Sequence, residues 1–114
     1  MKNSIIVILV AFLSISAVAQ DTKSKNKKVE MKVAGNCEIC EKRIEKAAFS
    51  VKGVKNAEWH AEHQHISLII DENKCLVEDV AKAIAKAGHD TEFVKAKDED
   101  YEKLHGCCLY ERIK

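Results

Sequence analysis

Two cysteines three residues apart constrain this chain more than any other feature. Cys37 and Cys40, in the run Gly35-Asn36-Cys37-Glu38-Ile39-Cys40, sit where an apolar alternation gives way to a helical pattern. Val29, Met31 and Val33 alternate with Glu30, Lys32 and Ala34, as in a half-buried strand. Cys40, Ile44, Ala47, Ala48 and Val51 then fall at helical spacing, with Glu38 and Lys42 paired on the charged face. A strand that turns directly into a helix puts both sulfurs on one side of the turn, near the positive end of the helix. That position favours the thiolate form, and a thiolate pair selects soft ions such as Cu(I) or Zn(II) over Mg(II) or Ca(II).

The pattern continues with few interruptions. Gly53 ends the first helix, and Val54 to Trp59 reads as a second strand with Val54, Ala57 and Trp59 apolar. A polar hairpin over Ala61 to Gln64 leads to a third strand, Ile66 to Asp71. Leu76 to Ala87 carries Val77, Val80, Ala81 and Ile84 at helical spacing, and Gly88 closes it. His89 to Val94 is the expected last strand, with Phe93 or Val94 inward. The order β-α-β-β-α-β predicts an α+β, ferredoxin-like sandwich, an antiparallel sheet with two helices on one face. Residues 96–114 are expected to form a short appended segment, in part helical, and not a second domain.

The N-terminus reads as an export signal. Lys2, the apolar run Ile5 to Leu13 and the small residues Ala17-Val18-Ala19 make a secretory signal over residues 1–19. The run is shorter than the about 20 residues that span a bilayer, so cleavage is expected, with no stable membrane insertion and a periplasmic or secreted protein as the product. Gln20 to Lys28 is polar without periodicity and is expected to be a tether to a domain over residues 29–95. Removing Lys2 from the 19 basic residues leaves 18 against 18 acidic ones, which argues against nucleic acid as a partner. All five cysteines, Cys37, Cys40, Cys75, Cys107 and Cys108, lie beyond the signal, and the odd count leaves at least one unpaired in a monomer.

Chain direction sorts the remaining metal-ligating residues. With the first strand running up, the cysteine loop, the hairpin histidines His60, His63 and His65, and His89 all gather at the top, whereas Cys75 falls at the bottom in a structural or idle role. The hairpin histidines read as a solvated turn, since imidazole ligands need fixed orientation. His89 faces the cysteine loop as an auxiliary ligand, a hydrogen-bonding neighbour or a plain turn residue. Cys107 and Cys108 can join the site only if the appended segment climbs back. The twelve residues from Lys95 span about 18 Å as helix or about 40 Å extended, enough for the return. Four sulfurs would favour Zn(II) or a polynuclear Cu(I) site, and two a transferable Cu(I). An intermolecular disulfide, or a separate thiol pair with His105, are the other outcomes. Trp59 and the apolar stripes read as core.

These residues resemble the heavy-metal-associated (HMA) domain family, which includes copper chaperones, modules of copper-transporting ATPases and a periplasmic mercury-binding protein. The resemblance covers Val29 to Lys95 and rests on the cysteine loop, Gly53-Val54 after the helix, Asp71 at the end of the third strand and the Ala87-Gly88 turn. It implies Cys37 and Cys40 as ligands, Cu(I), Zn(II) or Hg(II) as the ion, and a metal-transporting ATPase or another metal-accepting protein as partner. The family places a Met two residues before the first cysteine, in the core beneath the loop; here that position is Gly35. Exported HMA proteins of Bacteroidetes-type bacteria look closest, sharing the start Gly35-Asn36-Cys37-x-x-Cys40 with Arg43-Ile44-Glu45, and the ending Cys107-Cys108-x-Tyr110. The expected function is that of a non-enzymatic soft-metal carrier or scavenger. A thiol-disulfide oxidoreductase is the rival, and it is weakened because such enzymes set a cis-Pro against their cysteines and this chain has no Pro.

Overall fold

A computed structural model describes residues 23–113, so the expected signal and the start of the tether lie outside the described residues. The elements are β1 (Lys27–Lys32), α1 (Glu38–Phe49), β2 (Val54–His60), β3 (His65–Ile70), α2 (Val77–Lys86) and a short α3 (Asp98–Glu102), followed by a 3-10 turn at Gly106–Cys108. The sheet is antiparallel in the order β1-β3-β2. Strand β1 opens at Lys27, ahead of the apolar alternation, because Lys27 and Lys28 pair with Ile70 and Ile69. Ser24, within the expected tether, accepts a backbone hydrogen bond from Glu72.

One face of the sheet carries the core. Met31, Ala57, Trp59, Ile66, Leu68 and Ile70 from the strands meet Cys40, Ile44 and Ala48 of α1 and Val80, Ala81 and Ile84 of α2. The three-residue step from Val54 to Ala57 breaks strict alternation, and an irregularity in the register between Val54 and Asn56 absorbs it, restoring Ala57 and Trp59 to the inner face. Gly53 and Gly88 follow their helices with φ of +107° and +106°, the left-handed region that glycine enters without a Cβ clash. Among the described residues no helix is long and apolar enough to cross a membrane.

The expected fourth strand is reduced to a single bridge. Residues 89–94 take the edge place beside β1, but only Val33 and Thr91 pair. Ala34 donates to the Asp90 carbonyl and Glu92 donates to that of Lys32, and there the ladder stops. Beyond it, Thr91 turns the chain back on itself: its backbone N–H donates to the Val94 carbonyl, and its Oγ1 accepts from the N–H groups of Phe93 and Val94. A threonine offering a local acceptor competes with a strand for the same backbone donors, and here it wins. Phe93 is thereby left half exposed, and Val94 packs against the core.

The appended segment does climb back. After α3 it returns across the top of the fold, contributing Leu104, Cys108 and Tyr110 to the same core. It is part of the one domain.

Candidate metal centre

Cys37 is the N-cap of α1, with extended backbone angles (φ −137°, ψ 177°), so its side chain stands over the first helical turn that holds Cys40. Their sulfurs lie 3.7 Å apart. The returning segment brings Cys107 and Cys108 each to 3.4 Å from the Cys37 sulfur, and these two lie 4.0 Å from one another. The sulfurs of Cys37, Cys40 and Cys108 all fall within 4.8 Å of each other. Cys40 and Cys108 are buried, Cys37 is partly buried and Cys107 is exposed. A tetrahedral ion with metal–sulfur bonds of 2.3 Å needs sulfurs about 3.8 Å apart, so the cluster needs little rearrangement to receive one.

The loop is braced from below and from the side. A Cβ on Gly35 would lie 2.9 Å from Cζ2 of Trp59 and 3.2 Å from Cβ of Cys40, so this indole fills the space beneath the loop. The ring is fixed by its Nε1–H, which donates to the Val33 carbonyl at 3.0 Å. Gln64, in the β2–β3 hairpin with φ of 55°, accepts the Gly35 N–H at its side-chain oxygen (2.9 Å) and the Val33 N–H at its carbonyl (2.8 Å).

The tail is pinned by polar groups. The Tyr110 hydroxyl donates to the Gly88 carbonyl (2.7 Å) and accepts from the Asp90 N–H (2.8 Å). Arg112 binds both carboxylate oxygens of the fully buried Asp90, whose carboxylate also accepts from the N–H groups of Ala96 and Ile113. Burial pushes the Asp90 carboxyl up, but those bonds outweigh it and hold the group below the usual carboxylate range.

The thiols differ in acidity. The backbone N–H of Cys40 faces the Cys37 sulfur from the first turn, without closing a full capping hydrogen bond. It outweighs burial, and with the neighbouring thiols it draws the Cys37 pKa down to about 6. Burial, with hydrogen bonds given to Cys40 and Cys37, pushes the Cys108 thiol well above the usual range. The bond to Cys37 also raises the Cys107 thiol. Cys37 is therefore drawn toward the thiolate while Cys107 and Cys108 are held as thiols.

The expected auxiliary groups fall on different sides of the outcome. Cys108 joins Cys37 and Cys40 in one sulfur group, and Cys107 stands at its exposed edge, 3.4 Å from Cys37. His89 is fully buried and stands outside the sulfur group; its Nδ1 is 2.9 Å from the Ala34 carbonyl, and its ring stacks on Tyr110 at 5.3 Å. It thus touches both the segment that leads into Cys37 and the one that follows Cys108. Burial lowers its pKa, so it is a neutral imidazole at neutral pH. His60, His63 and His65 are exposed on the hairpin. Cys75 is buried away from the cluster, where a Cβ on Gly53 would approach its sulfur to 2.9 Å. Asp90, Arg112, Gln64 and the bracing role of Trp59 escape sequence reasoning, because nothing periodic marks them.

No protein-family model matches the sequence, and no curated protein matches it. Solved structures do. A CopZ metallochaperone is similar at 27% identity and a TM-score of 0.55, over 57% of this chain and 98% of that one. Oxidized MerP from Ralstonia metallidurans CH34 is similar at 28% identity and 0.56, over 59% and 94%. The N-terminal domain of a potential copper-translocating P-type ATPase from Bacillus subtilis, in its Cu(I)-loaded state, matches at 27% and 0.56, over 64% and 92%. These neighbours are domains of the HMA type, and this chain has their ferredoxin-like fold.

Proposed function

We propose that this chain is an extracytoplasmic, non-enzymatic carrier or scavenger of a thiophilic ion, Cu(I) in preference to Zn(II) or Hg(II), bound by Cys37, Cys40 and Cys108. The observation that carries the reading is the mutual approach of these three sulfurs to within 4.8 Å, two of them buried. A donor set of sulfur alone is soft, and three sulfurs suit Cu(I), whereas structural zinc is almost always four-coordinate. Copper-handling neighbours at 27% identity support the same choice. Export rests on the residues of the N-terminal signal, from Lys2 to Ala19. The acceptor is a metal-transporting ATPase or another metal-accepting protein that offers its own thiolates.

X-ray absorption on the Cu(I)-loaded chain tests the reading. Three sulfur neighbours are expected in the wild type, two in Cys108→Ser, and no tight binding in the Cys37→Ser/Cys40→Ser double variant. Binding that survives in the double variant contradicts it. For export, the protein recovered from outside the cytoplasm should begin at Gln20.

A further inference from the structure

The four sulfurs form two triangles that share an edge. The inner one, Cys37, Cys40 and Cys108, has two buried corners. The outer one, Cys37, Cys107 and Cys108, has sides of 3.4, 3.4 and 4.0 Å and an exposed corner at Cys107. Both use the Cys37–Cys108 edge, so an ion held in one is a single ligand change away from the other.

We propose that the ion moves between these two positions, held in the inner triangle and released from the outer one, with Cys107 as the exit ligand. The inference rests on the proposed function and adds a route to it. In the step, the Cys107 sulfur forms a bond to Cu(I), the Cys40–Cu(I) bond breaks, and the Cys107 proton passes to the departing Cys40 thiolate or to water. Copper stays Cu(I), two thiolate bonds are kept throughout, and no oxidant or reductant is needed. Without Cys107, an acceptor has to reach an ion whose neighbours include two buried sulfurs. With Cys107, the ion is presented at an exposed sulfur.

The test uses the reduced full chain, loaded anaerobically with one equivalent of Cu(I), and the variants Cys107→Ser and Cys40→Ser. Transfer to the chelator bathocuproine disulfonate is followed by stopped flow, and affinity and stoichiometry by competition. Cys107→Ser replaces an exposed side chain, so it is expected to fold normally and to bind one Cu(I) about as tightly as wild type. Its transfer is expected to slow by about tenfold or more, the size of loss typical when a group supporting a metal site is removed. Cys40→Ser, which keeps the outer triangle, is expected to bind more weakly and to transfer faster. An unchanged transfer rate in Cys107→Ser overturns the relay, and so does loss of its affinity, which would make Cys107 an equilibrium ligand. Two Cu(I) bound per wild-type chain also overturns it, since both triangles would then be storage positions. A wild-type chain that binds no Cu(I) overturns the proposed function and the relay with it, which separates that failure from the others.

Discussion

Cys37 is the sulfur on which the centre turns, since it touches Cys40, Cys107 and Cys108 and is the one drawn into the thiolate form. Alkylation of Cys37 by iodoacetamide in the reduced, metal-free protein, mapped by mass spectrometry, should rise to half its maximum near pH 6. The ordinary value is 9.0, so between about 6 and 9 the unfolded chain holds the proton that the folded chain has released. Stability from this group is therefore present above pH 9, and is lost as pH falls through about 6. Beneath the same loop, Gly35 leaves no room for a methyl group against the Trp59 ring. Gly35→Ala should cost about 1–3 kcal/mol in urea unfolding, because the ring is tethered to Val33 and cannot slide away freely. Its Cu(I) affinity should fall as well, since the same clash presses on Cys40.

The tail is the element that distinguishes this fold from a bare β-α-β-β-α framework. Its course over the top is held by Tyr110 and Arg112, which satisfy the backbone of Gly88 and Asp90 and the carboxylate of Asp90. Tyr110→Phe keeps the stack on His89 but leaves two buried backbone groups without their partner, at about 1–3 kcal/mol in denaturant unfolding. Alkylation of Cys108 should speed up in that variant, because the hydroxyl holds the strand of chain that buries it; an unchanged rate would show that the tail is held elsewhere. Asp90 acts in the same pH sense as the buried His89, since the fold lowers the pKa of both and each contribution is lost as pH falls. Its carboxyl titrates below the ordinary range, so its contribution stands above the unfolded value and disappears only as acid protonates the folded group.

As a whole molecule, the domain has one core and a cluster of sulfurs drawn from its two ends, residues 70 and 71 positions apart meeting across 3.4 Å. An ion bound there fastens the tail to α1, so binding and folding are linked. Cu(I) at a free concentration about a hundred times its dissociation constant should add about 3 kcal/mol and raise the melting temperature by roughly 10–20 °C for a domain of this size. Calorimetry with and without a Cu(I) chelator checks this, and in Cys108→Ser the rise should shrink because the tail is no longer tied.

Residue order alone determined the first three strands, the two main helices, their glycine ends and the Cys37–Cys40 pair, since each is written in a local period or a fixed short spacing. The alternation of Val29, Met31 and Val33 faces one side whatever follows it, and two cysteines across a strand-to-helix turn meet whatever packs above them. Thr91 shows where such reading stops: the segment after Gly88 has a strand's composition, yet its backbone donors go to a local hydroxyl and to the tail. That Cys108 joins Cys37 and Cys40, that Cys107 stands at the exposed edge of the cluster, and that Trp59 fills the space under Gly35 were decided only by the tertiary structure. The reason is physical. Faces of helices and strands follow from nearest neighbours, whereas the tail's path depends on single polar partners such as Asp90 and Arg112, which lie far apart in the chain and follow no period.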